Sequence, residues 1–185
     1  MELIMNQKRE LLLKTALELF YQHGVNSIGI NEVIKVSGIA KKTLYSHFDG
    51  KNDLVIATLG KRHFIFINWL KSKLEKTTND QELINVLFAS LQSWFIGNEP
   101  ELGDFRGCFF INTSAEFSDP KSEISCYCRY HKDQVRQLIK SKLTNNSEDL
   151  LNTICLLKEG VIVTAYMTGK SADMIQSTLK ILQRY

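Results

Sequence analysis

Residues 24 to 54 read GVNSIGINEVIKVSGIAKKTLYSHFDGKNDL, and this stretch restricts the possible fold more than any other. Two short apolar-periodic segments flank Ser37-Gly38-Ile39-Ala40. In the first, Ile30, Val33 and Ile34 share a face, and Glu32 suits the N-terminal end of the helix dipole. In the second, Leu44 and Phe48 stand four apart and turn inward together. That leaves Lys42, Thr43, Ser46 and His47 on the outside, behind a Lys41-Lys42 start. Two short helices joined at a glycine turn, the second with a polar face, make a helix-turn-helix, and its second helix is the one that enters a major groove.

The rest of the chain is also helical. Sustained strand-type alternation bounded by hairpin turns is missing, and ten Gly and two Pro leave few breaks in 185 residues. About nine helices are expected: 7–23, 31–36, 41–47, one from near Gly50 past Leu70, one from the Thr77–Asp80 start to Ile96, 109–117, one opened by Pro120 through Leu143, 148–168 and 171–184. Gly24 and Gly38 are C-cap and turn candidates, and Ser147 and Ser171 are N-cap candidates. The apolar residues 109–117 would suit a buried helix, although length alone does not exclude a strand. In 148–168, Leu150, Ile154, Leu157, Val161 and Ala165 make one stripe. Leu151, Cys155 and Ile162 make a second, and Leu156 and Val163 a third. One core cannot hold three stripes, so the extra face is expected to meet an identical subunit.

Charge argues against a broadly basic surface. The net charge is +3, and the first 55 residues carry seven Lys/Arg against six Asp/Glu. Any phosphate attraction must come from local placement and from doubling in a dimer. Enzyme motifs such as GxGxxG, a P-loop, HExxH or GxSxG do not occur, so an enzyme is not expected. The four cysteines at 108, 126, 128 and 155 form no CxxC pair. Cys128 and His131 share a helix face, but Cys126 points elsewhere and no carboxylate completes a metal-ligand spacing. No metal and no cofactor are expected. The N-terminus lacks a secretory h-region, and the longest apolar runs fall far short of the roughly 20 residues a membrane span needs. A reduced cytoplasmic setting without membrane contact is the expectation.

With those residues laid out, the chain resembles the TetR/AcrR family of bacterial transcriptional regulators. The likeness is carried by Ala16-Leu17-Glu18-Leu19-Phe20, Gly24, the Gly38 turn, Lys41 through Phe48, Lys51 and Leu54. Arg106 through Asn112 and Leu157 through Val163 look like phrases of one branch. The resemblance implies an all-α protein with a DNA-binding domain over 1–52 and an effector-binding and dimerisation domain over 53–185. It implies that Thr43, Ser46 and His47 face base edges or nearby phosphates, and that Lys41, Lys42, Tyr45 and Lys51 hold the backbone. It further implies a homodimer packed through the last two helices, with Leu156, Ile162, Val163, Ile175 and Leu179 as candidates. The partners would be a double-stranded DNA operator and a small-molecule effector of unknown identity, which would release the protein from DNA as a repressor.

Trp94, Asn112, Tyr127 and His131 are the effector candidates, because each sets a polar handle beside apolar area. Two positions depart from the family pattern: Ile28-Gly29 replaces a Thr-Ser type start, and Ala40 replaces a Ser. Both changes remove hydroxyls that could cap a helix. A helical binding or interaction module with decayed DNA binding is therefore one alternative. A regulator sensing redox state through Cys126 and Cys128 is another.

Overall fold

The computed structural model describes residues 2–145 and 147–185, the first four by backbone alone. Asn146 of the loop expected before residue 148 lies outside the described residues. The described chain is all-helical: α1 (Glu2–His23), α2 (Ile30–Ser37), α3 (Lys41–Tyr45), α4 (Lys51–Leu74), α5 (Asp80–Phe95), α6 (Phe109–Glu116), α7 (Glu123–Lys142), α8 (Glu148–Thr168) and α9 (Ala172–Leu182). It divides into two compact units. Met1–Phe64 joins Phe109–His131 in one, and Ile65–Cys108 joins Lys132–Tyr185 in the other.

In the first unit, α1 contributes Leu12, Leu13, Ala16 and Phe20 to the core, and Leu44 and Phe48 are buried as their spacing requires. The α1–α2 turn is also part of the core, since Val25 and Ile28 are buried. Ile28 stands where the family pattern offers a hydroxyl, so apolar burial replaces a cap there. Gly38 ends α2 with φ +68° and returns its N–H to the Ile34 carbonyl. That left-handed conformation costs glycine nothing and lets the chain turn sharply into α3. Gly29 and Ala40 precede α2 and α3 without a side-chain cap, as the missing hydroxyls predict.

The second unit packs α5 against α8 and α9. Its core includes Leu83, Leu87, Phe88, Leu91, Leu151, Ile154, Val161 and Ile162. Asn79 caps α5 by accepting the Glu82 N–H at 2.9 Å, and Ser147 caps α8 by accepting the Leu150 N–H at 3.2 Å. Phe66, Trp69, Trp94, Phe95 and Phe105 form a connected aromatic cluster with ring centroids 4.6–6.3 Å apart. Beside it the nearly buried Glu99 accepts the Trp69 Nε1–H and pairs with Lys73, both at 2.8 Å. Burial pushes the Glu99 pKa up, but the bonds from Lys73, Ser93 and Trp69 outweigh it and hold the carboxylate charged.

Two expectations need correction. Pro120 does not open α7. Residues 119–122 close as a turn, with the Ser122 N–H on the Asp119 carbonyl, and Ser122 Oγ accepts the Ser125 N–H at 3.2 Å. The helix therefore starts at Glu123. Ser171 does not cap α9 through its side chain, because its backbone is already in the helical region at φ −99°, ψ −34°. Leu150, Leu151, Ile154, Val161 and Ile162 of α8 are buried in the chain's own core. By length and composition alone this helix would also be apolar enough to cross a membrane, a test that a core helix passes as well. No uninterrupted run reveals this, because its apolar residues are spread around the helix and interrupted by Lys158 and Glu159.

Candidate nucleic-acid interface

Helix α3 is only five residues long, and Leu44 and Phe48 anchor it and the turn that follows. With those two side chains inward, Lys41, Lys42, Tyr45 and Ser46 are exposed, and Thr43, His47 and Lys51 are half-exposed. The expected DNA-reading residues thus lie together along α3, its C-terminal turn and the first residue of α4. The Lys41 ammonium lies 6.0 Å from the Tyr45 ring centroid, within cation–π range. Ser46 Oγ donates to the Thr43 carbonyl at 2.8 Å, which fixes its rotamer and leaves its lone pairs outward. His47 Nε2 is covered and has no hydrogen-bond partner among the described residues. Lys51 opens α4, where backbone N–H groups add positive partial charge.

Placement of the acidic residues explains how a nearly neutral segment can attract phosphate. Glu32 faces Lys35 at 4.0 Å, Glu18 faces Lys14 at 4.0 Å, and Glu10 holds Lys61 at 2.6 Å. Asp53 turns back to accept the Asp49 N–H at 3.0 Å. Lys41, Lys42 and Lys51 make no ion pair with a described residue. Lys41, Lys42 and Lys51 are therefore free to meet phosphates and release their counterions, although the exposed Asp49 carboxylate stands close to them in the chain. Phosphate contacts set register and base contacts specify sequence. Thr43 and Ser46 lie beside the lysines with their hydroxyls accessible, whereas His47 has its Nε2 covered.

Sequence reasoning missed two contributors to this unit. Arg9 of α1 lies over the Phe48 ring at 5.2 Å and so braces the anchor that ends α3. Glu116, the last residue of α6, accepts the Val25 N–H at 2.8 Å and the Asn26 N–H at 2.6 Å. The separations of 91 and 90 residues left no local signal for either bond.

Of the effector candidates, the structure brings Asn112, Tyr127 and His131 into the first unit, on α6 and α7. His131 is buried and stacks flat on Phe110, with centroids 3.5 Å apart. Its Nδ1 lies 3.0 Å from Nδ1 of His63, a residue the sequence did not single out. Tyr127 and Tyr130 flank His63 at 6.3 and 5.2 Å between centroids. Burial pushes the His63 pKa down, and burial followed by Tyr130 pushes the Tyr127 hydroxyl up. Trp94 does not join these residues. It is 1% exposed inside the aromatic cluster of the other unit.

Cys126 is exposed, 3.1 Å from an Arg129 guanidinium nitrogen, whereas Cys128 is buried. Among the described residues no three His, Cys, Asp or Glu side chains converge as a metal site. Of the dimer candidates, Ile162 and Ile175 are 2% and 3% exposed within the chain's own core, and Leu179 is half-buried. Leu156 and Val163 face outward at 74% and 39%.

Residues 12–58 match the family model described as bacterial regulatory proteins, tetR family. An HTH-type transcriptional regulator of Staphylococcus aureus strain USA300 is 30% identical over 148 residues, covering 74% of this chain and 80% of its own length. The HTH-type transcriptional activator FasR of Mycolicibacterium smegmatis is 27% identical over 104 residues, or 56% of this chain, and the match spans only 46% of that activator. In fold, a TetR-family transcriptional regulator from Streptomyces coelicolor is similar over 96% of this chain and 87% of its own, with a TM-score of 0.82 at 22% identity. A TetR regulator from Chloroflexus aurantiacus gives 0.80 over 98% and 94% at 19% identity. The chain belongs to the TetR family of bacterial transcriptional regulators, and is a DNA-binding regulator rather than an enzyme.

Proposed function

We propose that the chain works in the bacterial cytoplasm as a homodimeric repressor, holding a double-stranded operator with two α3 faces and leaving it when a small molecule binds. Residues 1–52 would serve as the DNA-binding domain, and 53–185 as the effector and dimerisation domain. The observation that carries the dimer is the outward stripe on α8. Leu156, Val163 and Met167 are exposed at spacings of seven and four, with Gly160 between them and open space where its Cβ would stand. That spacing is one helical face, and an apolar face left uncovered marks a protein contact.

A dimer also answers the shortage of charge. The expected DNA face of one copy carries Lys41, Lys42 and Lys51, and two copies one helical turn of DNA apart, about 34 Å, double that number. The effector contacts are assigned to Tyr127 and His131, with His63 added, because His131 stacks on Phe110 and meets His63, which Tyr127 flanks. Asn112 is kept with them from the sequence. Sedimentation at micromolar concentration should give a dimer, and selection from a random duplex pool should return a palindromic site. A folded monomer, or a pool that stays random at low salt, would sink this reading. The likeness to the FasR activator favours activation as a second reading. A reporter placed behind the selected site distinguishes the two by the sign of the change.

A further inference from the structure

We infer that Glu116 is a positioning residue for DNA recognition, acting from outside the helix-turn-helix by holding the α1–α2 turn. The turn leaves α1 through Gly24, whose φ of +84° aims the following N–H groups to one side. A left-handed residue followed by free N–H groups makes a small anion-binding concavity. The Glu116 carboxylate fills it, with one oxygen on each of the Val25 and Asn26 N–H groups at 2.8 and 2.6 Å. The Asn26 side-chain amide returns a bond to the Glu116 carbonyl at 3.2 Å. The fit is close enough that a Cβ on Gly24 would meet Glu116 Oε1 at 3.1 Å.

The placement breaks a local rule. A carboxylate at the C-terminal end of a helix faces the negative end of the dipole, so α6 gains nothing locally from Glu116. The charge-assisted bonds to the turn outweigh that disadvantage. A residue that is unfavourable in its own helix and satisfied only on another element is acting on that element. The turn it holds contains the buried Val25 and Ile28, and α2 begins at Ile30. Fixing the turn fixes the start of α2, which packs with α3. At its other end, α6 begins with Phe109, edge-on to Tyr21 of α1 at 6.0 Å. The eight-residue α6 therefore grips the end of α1 at Phe109 and the turn beyond it at Glu116.

This inference rests on the DNA-binding reading, and the experiment separates the two. The wild-type chain selects a duplex from a random pool. Affinities for that duplex and for a random duplex are then measured for wild type, Glu116→Ala and Glu116→Gln, with amide hydrogen exchange at Val25 and Asn26 followed in parallel. Glu116→Ala should lose about tenfold on the selected duplex, the usual size of coupling between distant elements. The random duplex should be held unchanged, and the two amides should exchange at least about tenfold faster. Glu116→Gln, which keeps the shape but not the charge, should fall between. If Glu116→Ala does not fold, Glu116→Gln decides alone. Unchanged affinity for the selected duplex in the folded variants overturns the inference, and so does an equal loss on both duplexes. A wild-type chain that selects nothing overturns the DNA reading and this inference with it.

Discussion

The solvent faces of α3 and α8 are both left uncovered by the chain, yet they expose opposite chemistry. On α3 the uncovered groups are lysines without an ion pair to a described residue, a hydroxyl and a phenol. On α8 they are Leu156, Val163, Tyr166 and Met167. An uncovered cationic face does not demand a partner, because water satisfies it. It becomes attractive only toward a polyanion that gives up counterions. An uncovered apolar face costs free energy in water at all times, which is why the proposed dimer places it at the subunit contact. Under the proposed function, α8 would be covered by the second copy before α3 meets DNA, so pairing would be a condition for binding.

The largest test breaks α8. Leu156→Glu with Met167→Glu places charges on the apolar stripe without touching the core. Sedimentation should shift from dimer to monomer, and affinity for a palindromic site should fall by two or more orders of magnitude, the scale on which linked sites lose avidity. Affinity for a single half-site should stay close to wild type. If the dimer survives, the stripe is not the subunit contact.

Substitution on α3 should be milder and should divide by residue. Lys42→Ala is expected to weaken binding to most sequences alike and to lower the salt dependence by about one counterion per protomer. Thr43→Val or Ser46→Ala should cost about 1–3 kcal/mol at one base position and little elsewhere. A selection experiment with each variant checks the split. A changed sequence preference for Lys42→Ala alone would reverse the assigned roles.

What could be foreseen from the sequence follows the range of the interactions. Leu44 and Phe48, Gly38 and the Ser147 cap act within four or five residues, so spacing and residue type reveal them, whereas Ser171, read the same way, does not cap α9. On α8, periodicity exposes three apolar stripes without ranking them. Ile162 turned inward and Leu156 outward because the neighbouring α5 and α9 cover one side, which is tertiary information. Family likeness offers Ile175 for the subunit contact, whereas the chain's own core buries it. Glu116 on the α1–α2 turn and His63 against His131 join residues far apart in the chain, and neither leaves a periodic trace. Trp94 shows the converse: a polar atom on an aromatic ring suggests a pocket, but the surrounding rings decide that it is core.

The histidine pair makes a prediction about acid. A hydrogen bond between two Nδ1 atoms at 3.0 Å needs one ring to donate and the other to accept, so at least one ring is neutral. The lowered pKa of His63 means that the unfolded chain takes up its proton first as pH falls. Stability from this group is therefore fully present above about pH 6.5, the ordinary histidine value, and is lost as pH falls toward the folded value. His63→Gln, which keeps a hydrogen-bonding group but cannot titrate, should flatten the decline in Tm between pH 7 and pH 5. An unchanged slope would place the acid sensitivity on other groups.

The smallest expected effect sharpens the view of α3 itself. Ala40 holds the N-cap position with φ −62° and ψ 142°, the extended geometry a capping residue needs, but it has no oxygen to offer. A helix of five residues has little hydrogen bonding of its own, so it depends on Leu44, Phe48 and its ends. Ala40→Ser should add about 1 kcal/mol by accepting a first-turn N–H. For a chain of this length that corresponds to a rise in Tm of about 2–4 °C. The same hydroxyl would lie beside the lysine pair, where a phosphate is expected, so the two roles compete for one oxygen. A higher Tm with unchanged DNA affinity means that the oxygen caps the helix. Tighter binding with an unchanged Tm means that it touches phosphate, and that this chain's Ala40 has weakened DNA contact rather than helix stability.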